Sequence, residues 1–150
     1  MTIQWTPDLA MGIASIDRQH QRMIQEIATL VRALNEGRTL AVGPALDFLD
    51  QYVLEHFSNE EMHMKRVLYP GIAVHRAAHA AFVEEFSFLK RSHREKGLSP
   101  ALVLNLRTWL FGWLVNHIRE MDMSLGRFLL QGKAQRSRLQ AAASPSPGAR

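Results

Sequence analysis

The chain has 150 residues, a length that points to one domain with room for a real hydrophobic core. It has no cysteine, which excludes disulfides, thiolate-held zinc, iron–sulfur clusters and thiol nucleophiles, and leaves nitrogen and oxygen as the strong metal ligands. The formal charge of +4 belongs to the end of the chain: residues 1–130 carry 14 Lys and Arg against 14 Asp and Glu, and the excess is Lys133, Arg136, Arg138 and Arg150, too sparse and too free of aromatics to mark a nucleic-acid surface.

The opening MTIQWTPDLAMG has no basic stretch followed by an apolar one, and no uncharged apolar run reaches ~18 residues. Neither a signal peptide nor a membrane span is read there, and a cytoplasmic location is expected. Residues 1–15, with Ile3, Trp5 and Leu9, are expected to form an arm packed on the domain. A first helix is predicted over residues 16–36, with Ile16, His20, Met23, Ile27, Leu30 and Leu34 at steps of four and three. Asp17 or Ser15 can cap its start and Gly37 its end.

A second helix is predicted from Pro44 to Leu68, where Tyr69-Pro70-Gly71 stops it. Its seam reads Leu46, Leu49, Val53, His56, Glu60, His63 and Val67. The third, over residues 73–95, carries His75, His79, Phe82, Phe86, Leu89 and His93 before Gly97. Ser99-Pro100 then caps and opens a fourth, with Val103, Leu106, Leu110, Trp113 and His117 on its seam. The segment from residue 131, ending AAASPSPGAR, is too poor in apolar residues to order itself and reads as a disordered basic tail. The fold class is therefore all-α: an up-down-up-down antiparallel four-helix bundle over residues 1–130, because short connections force neighbouring helices antiparallel.

In that topology the start of helix one, the end of two, the start of three and the end of four lie together. His20, His56, Glu60, His75, His79, His117 and a carboxylate near residue 120 meet at that level. His56 and Glu60, and His75 and His79, are i,i+4 pairs that project from adjacent turns of one face. His93 lies 14 residues beyond His79, roughly 21 Å along a helix, and cannot join them. The fourth helix leaves the carboxylate open. Asp122 falls five residues after His117, about 140° round a regular helix, whereas Glu120 at i+3 would face the site without distortion. For Asp122 to serve, the helix must tighten, distort or end near Met121.

Five imidazoles and two carboxylates exceed the needs of one tetrahedral zinc and lack the oxygen cage of calcium or magnesium. Two borderline transition metals fit better, with iron favoured by mixed imidazole and carboxylate ligation. An odd number of imidazoles must be shared unequally, which leaves one ion an open position for a small diatomic ligand.

His20 within IDRQH, the run from His56 to Glu61, Tyr69-Pro70 followed by HRAAH, and WLVNHIREMD together resemble the hemerythrin family, and within it the single-domain bacterial members. The resemblance covers about residues 3–130. It implies that His75, His79 and His117 bind one iron and His20 and His56 the other, with Glu60, Asp122 and a solvent-derived oxo or hydroxo oxygen bridging them. It also prefers Asp122 to Glu120. The family's oxygen-pocket positions are matched by Met23, Phe57, Trp113, Leu114 and Ile118, with Met23 standing where a leucine is more usual.

What the resemblance implies is reversible binding of dioxygen for storage, delivery or buffering, by a protein that is not an enzyme and acts as a monomer without membrane insertion. Partners are an oxygen-using enzyme or a signalling protein. Oxygen or nitric oxide sensing is the alternative, since the same site would serve it. A di-iron oxidase is disfavoured, since it would normally show two Glu-x-x-His pairs on separate helices, and this chain does not have that set. His63, where the family usually has an apolar residue, is read either as a group near the pocket mouth that affects proton access or as a histidine reaching solvent.

Overall fold

The computed structural model describes residues 2–144. Its helices are α1 (Ala14–Asn35), α2 (Val42–Arg66), α3 (Ile72–Lys96), α4 (Pro100–His117) and α5 (Met123–Ala143), the last two joined by a π turn at Ile118–Asp122. The linking residues keep helical dihedrals, so α4, the π turn and α5 form one rod, the fourth helix of the bundle. α1 packs on α2 and α4, and α3 on α2 and α4, closing a four-sided up-down-up-down bundle.

Local chemistry sets the ends. α1 closes on Gly37, whose positive φ lets Arg38 N–H donate to the Ala33 carbonyl at 2.9 Å. α2 closes the same way through Leu68, a non-glycine at φ 53°, with Tyr69 N–H donating to Met64 O at 2.9 Å. Ser99 Oγ accepts from Leu102 N–H at 3.1 Å and caps α4.

The start of α1 differs from the sequence expectation, because neither Asp17 nor Ser15 caps it. Asp17 sits inside the first turns and its carboxylate accepts from Met11 N–H and Gly12 N–H at 2.8 and 3.1 Å, tying the preceding segment to the helix. That segment lies along the bundle: Leu9 and Met11 are buried, and Ile3 and Trp5 pack against the core.

The main core is aliphatic and aromatic, built from Ile24, Ile27, Leu30, Leu46, Leu49, Val53, Phe82, Phe86, Leu106 and Leu110. Two seams are rotated from the predicted ones. On α2, Met64 is fully buried in place of His63 and Val67, which are half-buried. On α4, Leu102 and Leu114 face inward while Val103 and Trp113 stand at the flanks. The fourth rod also runs on as helix to Ala143, past the expected boundary near residue 130. Its strong helix formers carry it forward, yet after Leu129 it buries nothing. The end of the expected tail, residues 145–150, lies outside the described residues. No described helix is long and apolar enough to cross a membrane.

Candidate metal centre

Each helix brings its polar seam residues to one level: α1 supplies His20, α2 His56 and Glu60, α3 His75 and His79, α4 His117, and the π turn Asp122. None of the seven is more than 6% exposed. The turn at Ile118–Asp122 contains one residue more than an α turn, and this brings Asp122 under His117. Glu120, the residue favoured by regular spacing, is exposed.

The donor atoms fall into two overlapping groups. One contains His75, His79, His117, Glu60 and Asp122; the other contains His20, His56, Glu60 and Asp122, and within each group the candidate ligand atoms lie within 4.8 Å of one another. The carboxylates belong to both, one oxygen to each side. Glu60 Oε1 lies 3.3 Å from His56 Nε2 and 3.6 Å from His20 Nε2, while Oε2 lies 3.1 Å from His79 Nε2 and 3.5 Å from His75 Nε2. Asp122 Oδ2 approaches His20 Nε2 at 3.1 Å, and Oδ1 approaches His75 and His117 at 3.0 and 3.2 Å.

These atoms crowd together without bonding to one another properly. All four carboxylate oxygens are buried and make no hydrogen bond of acceptable geometry. The imidazoles meet nose to nose, with Nε2–Nε2 separations of 3.1 Å for His20–His56, His75–His117 and His79–His117. Buried polar groups left this way are costly unless a cation sits between them. The spacing also says how such a cation would be surrounded. At a metal–nitrogen bond of about 2.1 Å, neighbouring ligands are about 3.0 Å apart at right angles and about 3.4 Å apart at tetrahedral angles. The separations observed, 3.0–3.6 Å, span both values and fit a cation within bonding distance of each donor. The donor set therefore fits two ions sharing two carboxylates.

Charge follows the same pattern in the metal-free state. Burial pushes the Glu60 carboxyl up, but His56 and His20 foremost pull it well below the ordinary carboxylate range. Burial and the Glu60 charge raise Asp122, and the close imidazoles of His117, His20 and His75 reverse this, leaving it lowered as well. Burial works against a charged His20, yet Asp122 and Glu60 hold it up at about 9, and His75 is held at about 9 by the same groups. Protons occupy the place cations would take.

Two of the distal ring nitrogens are held by residues the sequence reading did not single out. His56 Nδ1 lies 2.9 Å from Gln19 Oε1, which also accepts from Asn59 Nδ2 at 3.0 Å. His79 Nδ1 lies 3.1 Å from Glu61 Oε1, and Glu61 Oε2 pairs with Arg76 Nε at 3.1 Å. With Nδ1–H donated outward, Nε2 presents its lone pair to the site, the tautomer a metal requires. Gln19 and Glu61 each adjoin a candidate ligand in sequence but serve a histidine on another helix.

One turn inward from the histidines lies a cavity of about 10 Å³ with no polar atom on its wall. Met23, Phe57, Trp113 and Leu114 line it, joined by Ile27, Leu49, Val53, Phe82 and Leu110. Ile118 is buried in the π turn and is not part of this wall. Phe57 stacks on His79 at 3.7 Å between centroids, and Trp113 stacks on His117 at 4.5 Å. His63 lies beyond Glu60 on α2, away from the cavity-lining residues Leu49, Val53 and Phe57. Its proposed place at the pocket mouth is therefore corrected.

A four-helix bundle whose core closes on paired carboxylates and five imidazoles defines a class of buried di-metal protein. Within that class the hemerythrin HHE cation binding domain model matches residues 11–129, and the chain belongs to the hemerythrin family. It is 35% identical over 121 residues to a bacteriohemerythrin of Stenotrophomonas maltophilia, covering 80% of this chain and 76% of that one. It is 26% identical over 118 residues to hemerythrin subunit 1 of Golfingia vulgaris, covering 79% and 85%. The crystal structure of a wild-type hemerythrin superposes with a TM-score of 0.72 at 28% identity, covering 85% of this chain and 95% of the other. The buried cluster of this chain is thus a hemerythrin-domain site able to hold a di-iron centre.

Proposed function

We propose that this protein binds dioxygen reversibly at a non-haem di-iron centre, with His75, His79 and His117 on one iron, His20 and His56 on the other, and Glu60 and Asp122 bridging. The observation that carries the reading is the divided donor set beside an apolar space: two groups share Glu60 and Asp122, one of them with one imidazole fewer, and Phe57 and Trp113, which stack on His79 and His117, also line a small cavity with a wholly apolar wall. Two ferrous ions held by these ligands would supply the electrons that make dioxygen binding tight yet reversible.

The chain's own residues do the rest. Two carboxylates balance part of the cationic charge inside a dry bundle, and their split oxygens hold the two halves at a fixed distance. The two-histidine half has one side-chain donor fewer, which makes it the side where a small ligand can bind. Met23, Phe57, Trp113 and Leu114 keep water and proton donors away from that ligand, so it leaves as it came. A cavity this small has no room for an organic co-substrate, which favours carriage over enzymatic turnover. On this reading the protein works as a cytoplasmic monomer that stores oxygen or hands it to an oxygen-using enzyme or signalling partner.

The test is anaerobic reconstitution with ferrous iron, followed by admission and removal of oxygen under a visible spectrometer. A charge-transfer band that appears and then disappears supports the reading, and irreversible bleaching within one cycle refutes it. His79→Ala should lower iron stoichiometry while the helical circular dichroism persists; wild-type iron content in that variant would overturn its assignment.

A further inference from the structure

The candidate ligands are not held alike from behind. Of the five imidazoles, His79 alone has a carboxylate on Nδ1, that of Glu61 at 3.1 Å. His56 has a neutral amide, Gln19, whose Oε1 is shared with Asn59. The buried Nδ1 atoms of His20 and His75 have no partner among the described residues. His79 belongs to the three-histidine group and His56 to the two-histidine group, so the carboxylate stands behind one half of the site only.

We propose that Glu61 is a positioning residue that makes the three-histidine half the tighter-binding and more easily oxidised of the two, by holding the His79 ring through Nδ1–H and lending it negative charge. The inference rests on the ligand assignment above. An imidazole that donates its distal N–H to a carboxylate is a stronger donor at its other nitrogen than one that donates to an amide. When one electron leaves a ferrous ion the cation gains one unit of charge, and a nearby carboxylate favours that product. Arg76 offsets part of the Glu61 charge, but it is 55% exposed and its effect is screened by solvent. Its geometric effect persists: the pair spans α2 and α3 and fixes the Glu61 rotamer behind His79. Glu61 is itself 21% exposed against 3% for His79, so its charge can be removed without opening the core.

The experiment uses the full chain stripped of metal and titrated with cobalt(II) against a competing chelator, and then the iron-loaded chain poised across a redox titration. Glu61→Gln keeps the shape and a hydrogen-bond acceptor while removing the charge. It is expected to weaken one of two cobalt equivalents by about 10-fold or more, and to raise the reduction potential. Gln19→Glu should move the potential the opposite way. Equal thermal unfolding of the metal-free forms confirms that the fold is intact. A Glu61→Gln chain that binds both equivalents as tightly as wild type, at an unchanged potential, overturns the inference and leaves the ligand assignment standing. A wild-type chain that takes up fewer than two equivalents overturns both.

Discussion

Gly126 sits in the first turns of α5, and replacing it with alanine opposes two effects whose sizes decide the outcome. Helix propensity alone predicts a gain, since alanine is favoured over glycine inside a helix by about 1 kcal/mol. The structure predicts a larger loss. A Cβ at Gly126 would run into the carbonyl oxygen of Met11 and lie 3.1 Å from the Met11 Cβ, so backbone rather than a flexible side chain must yield. The segment that must move holds Met11 and Leu9, which are 4% and 2% exposed, and the two N–H bonds to Asp17. Fully exposing Met11 would cost about 1.5–3 kcal/mol and losing each bond about 1 kcal/mol. A partial displacement that forfeits half of this costs about 2 kcal/mol, so the net is about 1 kcal/mol of destabilisation. In a domain of this size that lowers the melting temperature by about 2–4 °C. Thermal unfolding of the metal-free protein, followed by circular dichroism, reads it directly. A Gly126→Ala chain that melts at or above the wild-type temperature would show that the arm does not bear on α5 as described.

Leu68 holds a left-handed conformation at φ 53° while 86% exposed, so Leu68→Gly gives up almost no packing and relieves about 1 kcal/mol of strain; chemical denaturation should show a higher midpoint, and a lower one would refute the strain. Val53 lines the cavity of about 10 Å³, and Val53→Phe should fill it, cost about 1–3 kcal/mol of stability through overpacking, and abolish the oxygen-dependent visible band while iron content stays at the wild-type value. An undiminished band would place oxygen elsewhere. In the metal-free protein, His20 and His75 are raised from 6.5 to about 9, so their stabilising effect is complete below pH 6.5 and fades as pH rises through 9. Glu60 and Asp122 are lowered from 4.5 and 3.8, so theirs is present above pH 4.5 and fades in acid. Denaturation midpoints should therefore peak between pH 4.5 and 6.5 without metal, and extend to higher pH once metal takes the place of the protons. Equal midpoints at pH 6 and pH 9 in the metal-free chain would contradict this.

Six of the seven clustered side chains were legible because an imidazole or carboxylate on an apolar seam stands out against its neighbours, and up-down topology puts the right helix ends together. The seam of α4 was harder. Apolar residues occur on nearly every face of that helix, from Leu102, Val103 and Leu104 to Trp113, Leu114 and Val115, so no contrast fixes which side is inward. The inward face carries Leu102 and Leu114, each one position from the predicted Val103 and Trp113. Gln19 and Glu61 were invisible for another reason. Each is a polar residue next to a seam ligand, ordinary for a helix flank, and what gives it a role is the ring of a histidine on the adjacent helix. The helix beyond residue 130 shows the limit of composition, which registers that a segment has nothing to bury but not whether it continues as helix.

Asp122 was left open by its spacing, and the three ways of bringing it under His117 differ in what they do to the backbone. Ending the helix at Met121 would leave its last carbonyls without partners beside a site where every side chain is buried. Tightening to a narrower turn of three residues would still leave Asp122 about 120° round from the face of His117. The wider turn avoids both. Met123 N–H donates to the Ile118 carbonyl across the π turn, so the hydrogen-bond ladder continues while one residue is absorbed. Continuity has a further effect, because the chain leaves the turn as helix and carries Leu125 and Gly126 onto Met11. The distortion that presents the second carboxylate is thus the same one that sets the register of α5 against the arm, and the arm in turn is tied to Asp17, one turn before His20. Disturbing Gly126 therefore strains the site from both of its ends.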